Sequence, residues 1–132
     1  MVDVLAPIAD SYSNLNNCSA VVKITYGQTV MLFTGDAERD SEIEILARYS
    51  ADFLDCDLLK IGHHGSGTSS SEAFLDTVSP SVAVISCQVG NEYGHPHFDV
   101  LERLSSRQIQ CLRTDQRGDI LILSDGVSLT LP

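Results

Sequence analysis

The chain has 132 residues, which is enough for one domain with a single buried core. Its composition is 43% hydrophobic and 20% charged, and no segment has the ~18 consecutive apolar residues that a transmembrane helix needs. The formal net charge of −10 argues against this chain binding nucleic acid by itself, because phosphate contacts come from clusters of Lys and Arg. Residues 1–5 lack the features of a signal peptide, so we expect a soluble chain, although a longer parent could carry membrane segments.

The predicted strands begin after an irregular segment of about fifteen residues and alternate with helices. No linker divides the chain, so residues 1–132 are predicted to form a single domain. This order of elements is typical of an α/β protein with a mixed sheet and flanking helices. The predicted strands are residues 19–26, 29–34, 58–62, 82–87 and 109–113, with the first two forming a hairpin and residues 119–123 and 127–131 forming a closing hairpin.

Three helices are predicted between these strands. The first starts at Asp40 or Ser41 as its cap. The second follows a capping box of Ser69 and Glu72 and ends before Pro80. The third covers residues 98–104. The predicted inward faces are Ile43, Leu46 and Ala47 in the first helix, and Val100, Leu101 and Leu104 in the third.

Four cysteines are widely spaced and form no CxxC pair. Cys56, Cys87 and Cys111 lie in or beside apolar runs, whereas Cys18 does not. Buried free thiols are therefore expected. Zinc ligation is not expected, and nothing in the spacing indicates a disulfide.

Polar clusters follow three of the predicted strands: TGD at 34–36, HHGSG at 63–67 and NEYGHPH at 91–97. Binding sites of open α/β sheets gather beyond the carboxyl ends of parallel strands. If these strands run parallel, the following side chains converge on one edge: Asp36, His63, His64, His95 and His97.

A carboxylate with several imidazoles suits Zn, Mn or Fe. Asp36 could bridge two ions, although an aspartate after glycine also stabilises turns. Adjacent histidines on a regular strand point to opposite faces, so both reach one site only from a loop, which Gly62 and Gly65 permit. The alternative is that the histidines are solvated loop residues.

Two further possibilities concern residues 65–71 and Cys87. The serine-rich segment leads into a helix and could hold a phosphate, or it could be a capped loop. Ser66 beside His64, or Cys87 near His95, could be the nucleophile and base of a serine or cysteine hydrolase. No GxSxG elbow supports that class.

Five motifs occur in a familiar order: NNCS at 16–19, TGD at 34–36, LKIGHHGS at 59–66, NEYGHPH at 91–97 and SDG at 124–126. With them the chain resembles the metallo-β-lactamase-like hydrolase domain of the ComEC-type competence proteins and their soluble relatives. The resemblance covers nearly the whole chain. It implies an αββα sandwich with a hydrolytic site of one or two Zn (or Mn) ions and hydrolysis of a phosphoester, with DNA or a small phosphodiester as substrate.

The resemblance also implies roles for individual residues. Asp36 falls at the metal-bridging aspartate of the family, and the GHHGS histidines fall at its last ligand, where His64 is favoured as ligand. His63 and His95 are then the catalytic candidates, with His63 facing substrate. The substrate-binding candidates are Ser66, Asn91 and His97.

One family motif, HxHxDH, is absent, and all four histidines of the chain are already assigned. The resemblance therefore indicates a partial domain, the C-terminal half of the sandwich. Its expected partners are the N-terminal half of the domain, a phosphoester such as DNA, and, as a further candidate, a second copy of the chain. Contact with a membrane is expected only through a longer parent, in which this domain often lies outside the cytoplasmic membrane. The sequence itself assigns no compartment.

Three hypotheses about function follow. The lead hypothesis is a metal-dependent hydrolase in the intact parent, linked to DNA uptake, with this chain alone binding metal weakly and having little activity. The second is a non-enzymatic binding or assembly module that lacks the HxHxDH metal site. The third is a serine or cysteine hydrolase, which would depend on Ser66 or Cys87 and would resist chelators.

Overall fold

A computed structural model describes residues 1–131 of the chain. It has a mixed α/β fold, as predicted. The first three strands of its main sheet pair antiparallel, and the third to the sixth pair parallel, in the same order as in the sequence. These strands are β1 (Val2–Ala6), β2 (Val21–Tyr26), β3 (Thr29–Phe33), β4 (Leu58–Lys60), β5 (Val82–Ile85) and β6 (Gln110–Arg113).

Helices and turns connect these strands, and a small second sheet follows them. No helix within residues 1–131 is both long enough and apolar enough to span a membrane. The helices are α1 (Arg39–Arg48), α2 (Ala51–Leu54), α3 (Glu72–Val78), α4 (Phe98–Ser106) and α5 (Thr114–Arg117), with 3-10 turns at Leu15–Cys18 and Gly62–Gly65. The second sheet pairs β7 (Leu123–Ser124) with β8 (Leu129–Thr130).

The prediction of an irregular N-terminal segment was wrong for its first residues. β1 pairs antiparallel with β2, so that Val4 lies opposite Val22. Leu5 is 2% exposed in the main core. Burial of Leu5 on one face of the strand, with the backbone paired to β2, outweighs the lack of a clear turn signal before it.

The predicted inward face of α1 was wrong for two of its three residues, since only Leu46 packs, half-buried, against the main core. Ile43 is 57% exposed and Ala47 is exposed, while Ser41, Glu42 and Ile45 are buried. The periodicity of apolar residues misleads here because two polar residues of α1 make buried hydrogen bonds to other loops. Tertiary hydrogen bonding therefore decides which side of the helix faces inward.

The starts of α1 and α3 differ from the predicted ones, whereas the end of α3 and the start of α4 agree. α1 begins after Glu38 rather than at Asp40 or Ser41. The cap of α3 is Ser71, whose side chain accepts a hydrogen bond from the Phe74 N–H. α3 ends before Pro80, and the inner face of α4 is buried at Val100 and Leu104, with Leu101 half-buried.

Ser69, the predicted cap of α3, instead donates its hydroxyl to the carbonyl oxygens of Gly62 (2.8 Å) and Ser66 (3.0 Å). It therefore ties the Gly62–Gly65 turn to the loop that follows it.

The main core lies between the sheet and the helices. Leu32, Leu59 and Ile85 of the central strands form one buried cluster with Ile45 of α1 and Phe74 of α3. Burial of each such side chain contributes roughly 1.5–3 kcal/mol to folding. This core holds the ends of the central strands in place, and the candidate site is built on those ends.

The opposite face of the sheet is apolar but only partly covered. Leu58, Val82 and Leu112 are buried beneath Ile120 and Leu131. On the antiparallel side of this face, the exposed apolar side chains are Val2 (64%), Val4 (65%) and Phe33 (37%), beside the half-buried Val22, Ile24 and Met31. We call these six residues the open apolar face.

The closing hairpin has its turn at Asp125-Gly126 as predicted, but its strands are shorter than predicted. It clasps the β2–β3 turn, because the Gln28 N–H donates to the Gly126 carbonyl (2.6 Å). Thr29 Oγ1 and Ser124 Oγ lie 2.7 Å apart. The SDG segment of the chain therefore has a structural role.

Gly27→Ala is predicted to weaken this clasp strongly. An added Cβ would lie 2.1 Å from the Gly126 oxygen, and Gly27 has φ +60. Gly90→Ala is a matched control, because Gly90 has φ +65 and open space around it. Urea unfolding should show losses of about 2–4 kcal/mol for Gly27→Ala and about 1 kcal/mol for Gly90→Ala. Equal losses of unfolding free energy in the two variants would contradict a stabilising contact between the closing hairpin and the β2–β3 turn.

Candidate functional site

The carboxyl ends of three parallel strands meet at one edge of the sheet. Phe33 of β3 lies beside Lys60 of β4, which lies beside Val84 of β5. Each strand then runs directly into a polar loop, as binding sites of α/β proteins require. The structure brings together Asp36, His63, His64 and His95 at this edge. We call these four residues the rim.

The Gly62–Gly65 turn explains how two adjacent histidines face one site. His63 (φ 45, ψ 47) and His64 (φ 56, ψ 21) both adopt left-handed backbone conformations. Each such conformation costs about 1–3 kcal/mol in a non-glycine residue and is concentrated at functional sites. The turn is held by tight contacts, since a Cβ on Gly62 would lie 3.0 Å from the Ala37 oxygen.

Asp36 and His64 form the first carboxylate–imidazole pair of the rim. Nε2 of His64 lies 3.4 Å from Oδ1 of Asp36, and both side chains are almost half exposed. On the other side of the ring, Nδ1 of His64 lies 2.7 Å from the Ser86 carbonyl oxygen. A carbonyl only accepts, so Nδ1 carries the proton, and in the neutral ring Nε2 presents a lone pair to Asp36.

Glu38 and His63 form a second pair, which the sequence analysis missed. Nδ1 of His63 lies 2.9 Å from Oε1 of Glu38, without a well-aligned hydrogen bond among the described residues. The Asn14 amide donates to Oε2 of Glu38 (2.9 Å) and the Asn16 amide to Oε1 (2.8 Å). The only signals in the sequence were the NN of the NNCS motif and the position of Glu38 two residues after Asp36.

Asn17 supports the same pair from the backbone. Its Oδ1 accepts hydrogen bonds from the N–H groups of Glu38 (2.9 Å) and Ser41 (3.2 Å), and the residue is 2% exposed. The NNCS segment therefore orients the carboxylate beside His63.

His95 completes the rim from the third loop. Its ring centroid lies 5.5 Å from that of His63 and 4.7 Å from that of His97. Burial and then repulsion from His97, His63 and His64 lower the pKa of His95 below its usual range. The neutral imidazole of His95 is thereby favoured near neutral pH.

The predicted substrate-binding residues lie beside the rim, and their polar atoms are already paired within the chain. His97 accepts from the Gly67 N–H at Nδ1 (3.0 Å) and donates from Nε2 to the Tyr93 carbonyl (3.1 Å). Asn91 accepts from the His95 N–H (2.9 Å) and donates to the His95 oxygen (2.6 Å). Both residues thus hold the loop that carries His95.

The surroundings of Ser66 and Cys87 disfavour a nucleophilic hydrolase. Ser66 is 4% exposed, and its hydroxyl pairs with that of Thr68 at 2.9 Å. Burial, followed by the neighbouring Asp115, raises the pKa of the Cys87 thiol, which disfavours the reactive thiolate. Within the described chain, Cys18 is exposed, Cys56 is buried, and none of the cysteines is in a disulfide.

The serine-rich loop is ordered by protein groups, which argues against the phosphate-binding hypothesis. The buried Glu42 carboxylate accepts from the Ser70 and Ser71 N–H groups. Arg103 donates to the carbonyl oxygens of Ser69 (3.0 Å) and Ser70 (2.9 Å). The backbone donors of Ser70 and Ser71 are therefore already used.

A cavity of about 350 Å³ adjoins His64 and His95. This volume lies at the lower end of the range for small-molecule sites. Its walls are formed by His64, Ser86, Cys87, Gln88, Asn91, Tyr93 and His95.

Asp36 and His64 fit two ligand positions of a divalent metal, but residues 1–131 contain no group of three His, Cys, Asp or Glu side chains placed to hold one. Two ligands about 2.0–2.1 Å from a tetrahedral Zn ion are about 3.4 Å apart, which matches the Asp36–His64 separation. The backbone acceptor on Nδ1 of His64 is also the usual partner of a metal-bound histidine.

The fold and the edge of the main sheet together define a mixed α/β domain with paired carboxylates and imidazoles at the ends of its parallel strands.

No protein-family model matches the chain. It is 39% identical to ComE operon protein 3 of Bacillus subtilis over 89% of this chain. It is 40% identical to competence protein ComA of Neisseria gonorrhoeae over 78% and 44% identical to recombination protein 2 of Haemophilus influenzae over 81%.

These matches relate the chain to one segment of the ComEC-type competence proteins. The matched segment covers 15%, 15% and 13% of the three relatives, respectively.

The buried Glu42 predicts a specific pH dependence of stability. Burial raises its pKa above the usual 4.5, so its contribution to stability is full below the unfolded pKa and is lost as pH rises through the folded pKa. Glu42→Gln removes this titration. Urea unfolding between about pH 5 and 8 should therefore show wild type losing stability relative to Glu42→Gln as the pH rises.

The exposed Glu102→Gln variant controls for the loss of one negative charge. A constant difference between wild type and Glu42→Gln across this pH range would contradict the role given to burial.

Proposed function

We propose that this chain carries part of a metal-dependent site that hydrolyses phosphodiesters, and that DNA handled during uptake is its substrate. The names of the relatives, which refer to competence and recombination, support DNA as the substrate. The single observation that carries the proposal is the arrangement of Asp36 and His64.

This arrangement suits a cation between the two side chains. In the neutral ring with Nδ1 protonated, the lone pair of Nε2 faces Oδ1 of Asp36 at 3.4 Å, and both atoms are electron-rich. That distance exceeds the usual 2.7–3.2 Å of an N–H···O bond but suits two ligands of one metal ion. With Nδ1 bonded to Ser86, the ring is already oriented as a ligand.

The residues of the rim have separate roles in this proposal. Asp36 and His64 would hold one or two Zn or Mn ions. Such an ion supplies Lewis-acid polarisation of a phosphoryl oxygen and makes water more acidic. His63, held beside Glu38, stabilises charge on the phosphate or donates a proton to the leaving oxygen. His95, whose ring centroid lies 5.5 Å from that of His63, stabilises charge on the phosphate as a neutral hydrogen-bond donor.

The open apolar face supports the αββα architecture. Apolar side chains of β1 and β3 are 37–65% exposed there, which is costly for a sheet face in water. A second sheet packed on this face would bury them and would bring further metal ligands to the rim. We infer that these ligands belong to another segment, the N-terminal half of a metallo-β-lactamase-type sandwich.

The second candidate is a binding or assembly module without enzymatic activity. It is favoured by the absence of a three-ligand group within residues 1–131. In that case a second copy of the chain would cover the open apolar face.

Hydrolysis and metal content test the proposal together. The chain alone, and the chain preceded by whatever sequence its gene encodes ahead of Met1, would be dialysed and analysed for zinc and manganese. Both would then be assayed on bis-p-nitrophenyl phosphate. We expect bound metal and turnover only in the longer form, and at least a ~100-fold loss with Asp36→Asn or His64→Gln.

Asp40→Asn removes an exposed carboxylate near the rim and serves as the matched control, with activity retained. Tight stoichiometric metal and full turnover in the chain alone would refute the divided site. Turnover that survives both chelators and Asp36→Asn would refute the metal mechanism.

A further inference from the structure

An exposed aromatic ring stands beside the rim without a structural task. The side chain of Tyr93 is 76% exposed, and its ring stacks on His95 at a centroid distance of 5.6 Å and an angle of 24°. The two nearly parallel rings form one wall of the 350 Å³ cavity. We call this pair the aromatic wall.

The aromatic wall is held in place by its loop rather than by its own burial. Asn91 bonds the backbone of His95 from both sides, and His97 bonds the Tyr93 carbonyl. A flat ligand that stacks on Tyr93 therefore meets a ring whose backbone is held by the loop and whose other face is stacked on His95. This limits the ordering entropy lost on binding.

Charge limits how a polyanion can be recognised at this site. The chain carries a net charge of −10, and none of the side chains that line the cavity is Lys or Arg. The cavity lining therefore lacks the Lys and Arg side chains with which DNA-binding proteins usually contact phosphates. Stacking on aromatic side chains is the other main source of affinity for nucleic acid, and it needs unpaired bases.

We propose that the aromatic wall binds an unpaired nucleobase next to the phosphate that is cleaved, so that the site acts on single-stranded or frayed DNA rather than on intact duplex. This inference rests on the phosphodiester function proposed above and assigns its substrate class. The cavity has room for one nucleoside, whereas a paired base is covered on both faces by its neighbours. Gln88 at the cavity wall can both donate and accept hydrogen bonds, as base edges require.

The test measures binding by the metal-free chain and therefore does not depend on hydrolysis. Thymidine 5′-monophosphate and 2-deoxyribose 5-phosphate, which lacks the base, would be titrated and followed by NMR. We expect the nucleotide to bind about tenfold more tightly than the sugar phosphate, with the Tyr93 ring protons shifted upfield.

Tyr93→Phe should keep this preference, because it keeps the ring, and Tyr93→Leu should abolish it. Tyr26→Leu is the matched control, since Tyr26 is an exposed tyrosine (56%) at the end of β2, and it should bind as wild type does. Equal affinity for the two ligands would overturn the inference. So would a preference that survives Tyr93→Leu, or tighter binding of phosphocholine than of the nucleotide.

The outcomes separate this inference from the proposed function. Base-dependent binding with no hydrolysis in the longer form would refute the metal-dependent function and leave the aromatic wall as a nucleotide site. Hydrolysis with no base-dependent binding would refute the aromatic wall alone.

Discussion

The parallel pairing of β3 and β4, continued by β5, is the constraint on which the site depends. Because the three strands end at the same level, the loops that follow them meet at one edge. A one-residue change in the register of a strand would turn its side chains to the other face of the sheet. It would also shift the loop that follows this strand relative to the neighbouring loops. The main core opposes such a change, since Leu32 and Leu59 are completely buried on one side of the sheet.

The rim is strained locally and is supported from several directions. Two adjacent residues, His63 and His64, have positive φ. The His63 N–H donates to the Gly35 carbonyl and His64 Nδ1 to the Ser86 carbonyl, so both are held from outside the turn. Glu38 lies beside the His63 ring, the Ser86 carbonyl orients the His64 ring, and Glu42 fixes the loop that follows the turn. The two carboxylate–imidazole pairs are thus parts of one scaffold.

Much of the fold could be predicted from the sequence, because apolar runs followed by Gly mark most strands and the spacing of Val100, Leu101 and Leu104 marks α4. The gathering of Asp36 with the histidines also followed from strand order. Glu38 and Glu42 could not be found, because their importance comes from partners 22 to 29 residues away in the sequence, which periodicity does not register. β1 was missed for a similar reason, since its pairing with β2 is tertiary information.

The metal is the centre of this account, and anomalous X-ray scattering at the zinc edge tests it most directly. The crystals would contain this chain preceded by whatever sequence its gene encodes ahead of Met1, grown with zinc. The account predicts an anomalous peak bonded to Nε2 of His64 and to a carboxylate oxygen of Asp36, with Nδ1 of His64 still donating to Ser86. A direct hydrogen bond between Asp36 and His64, with no peak between them, would contradict it.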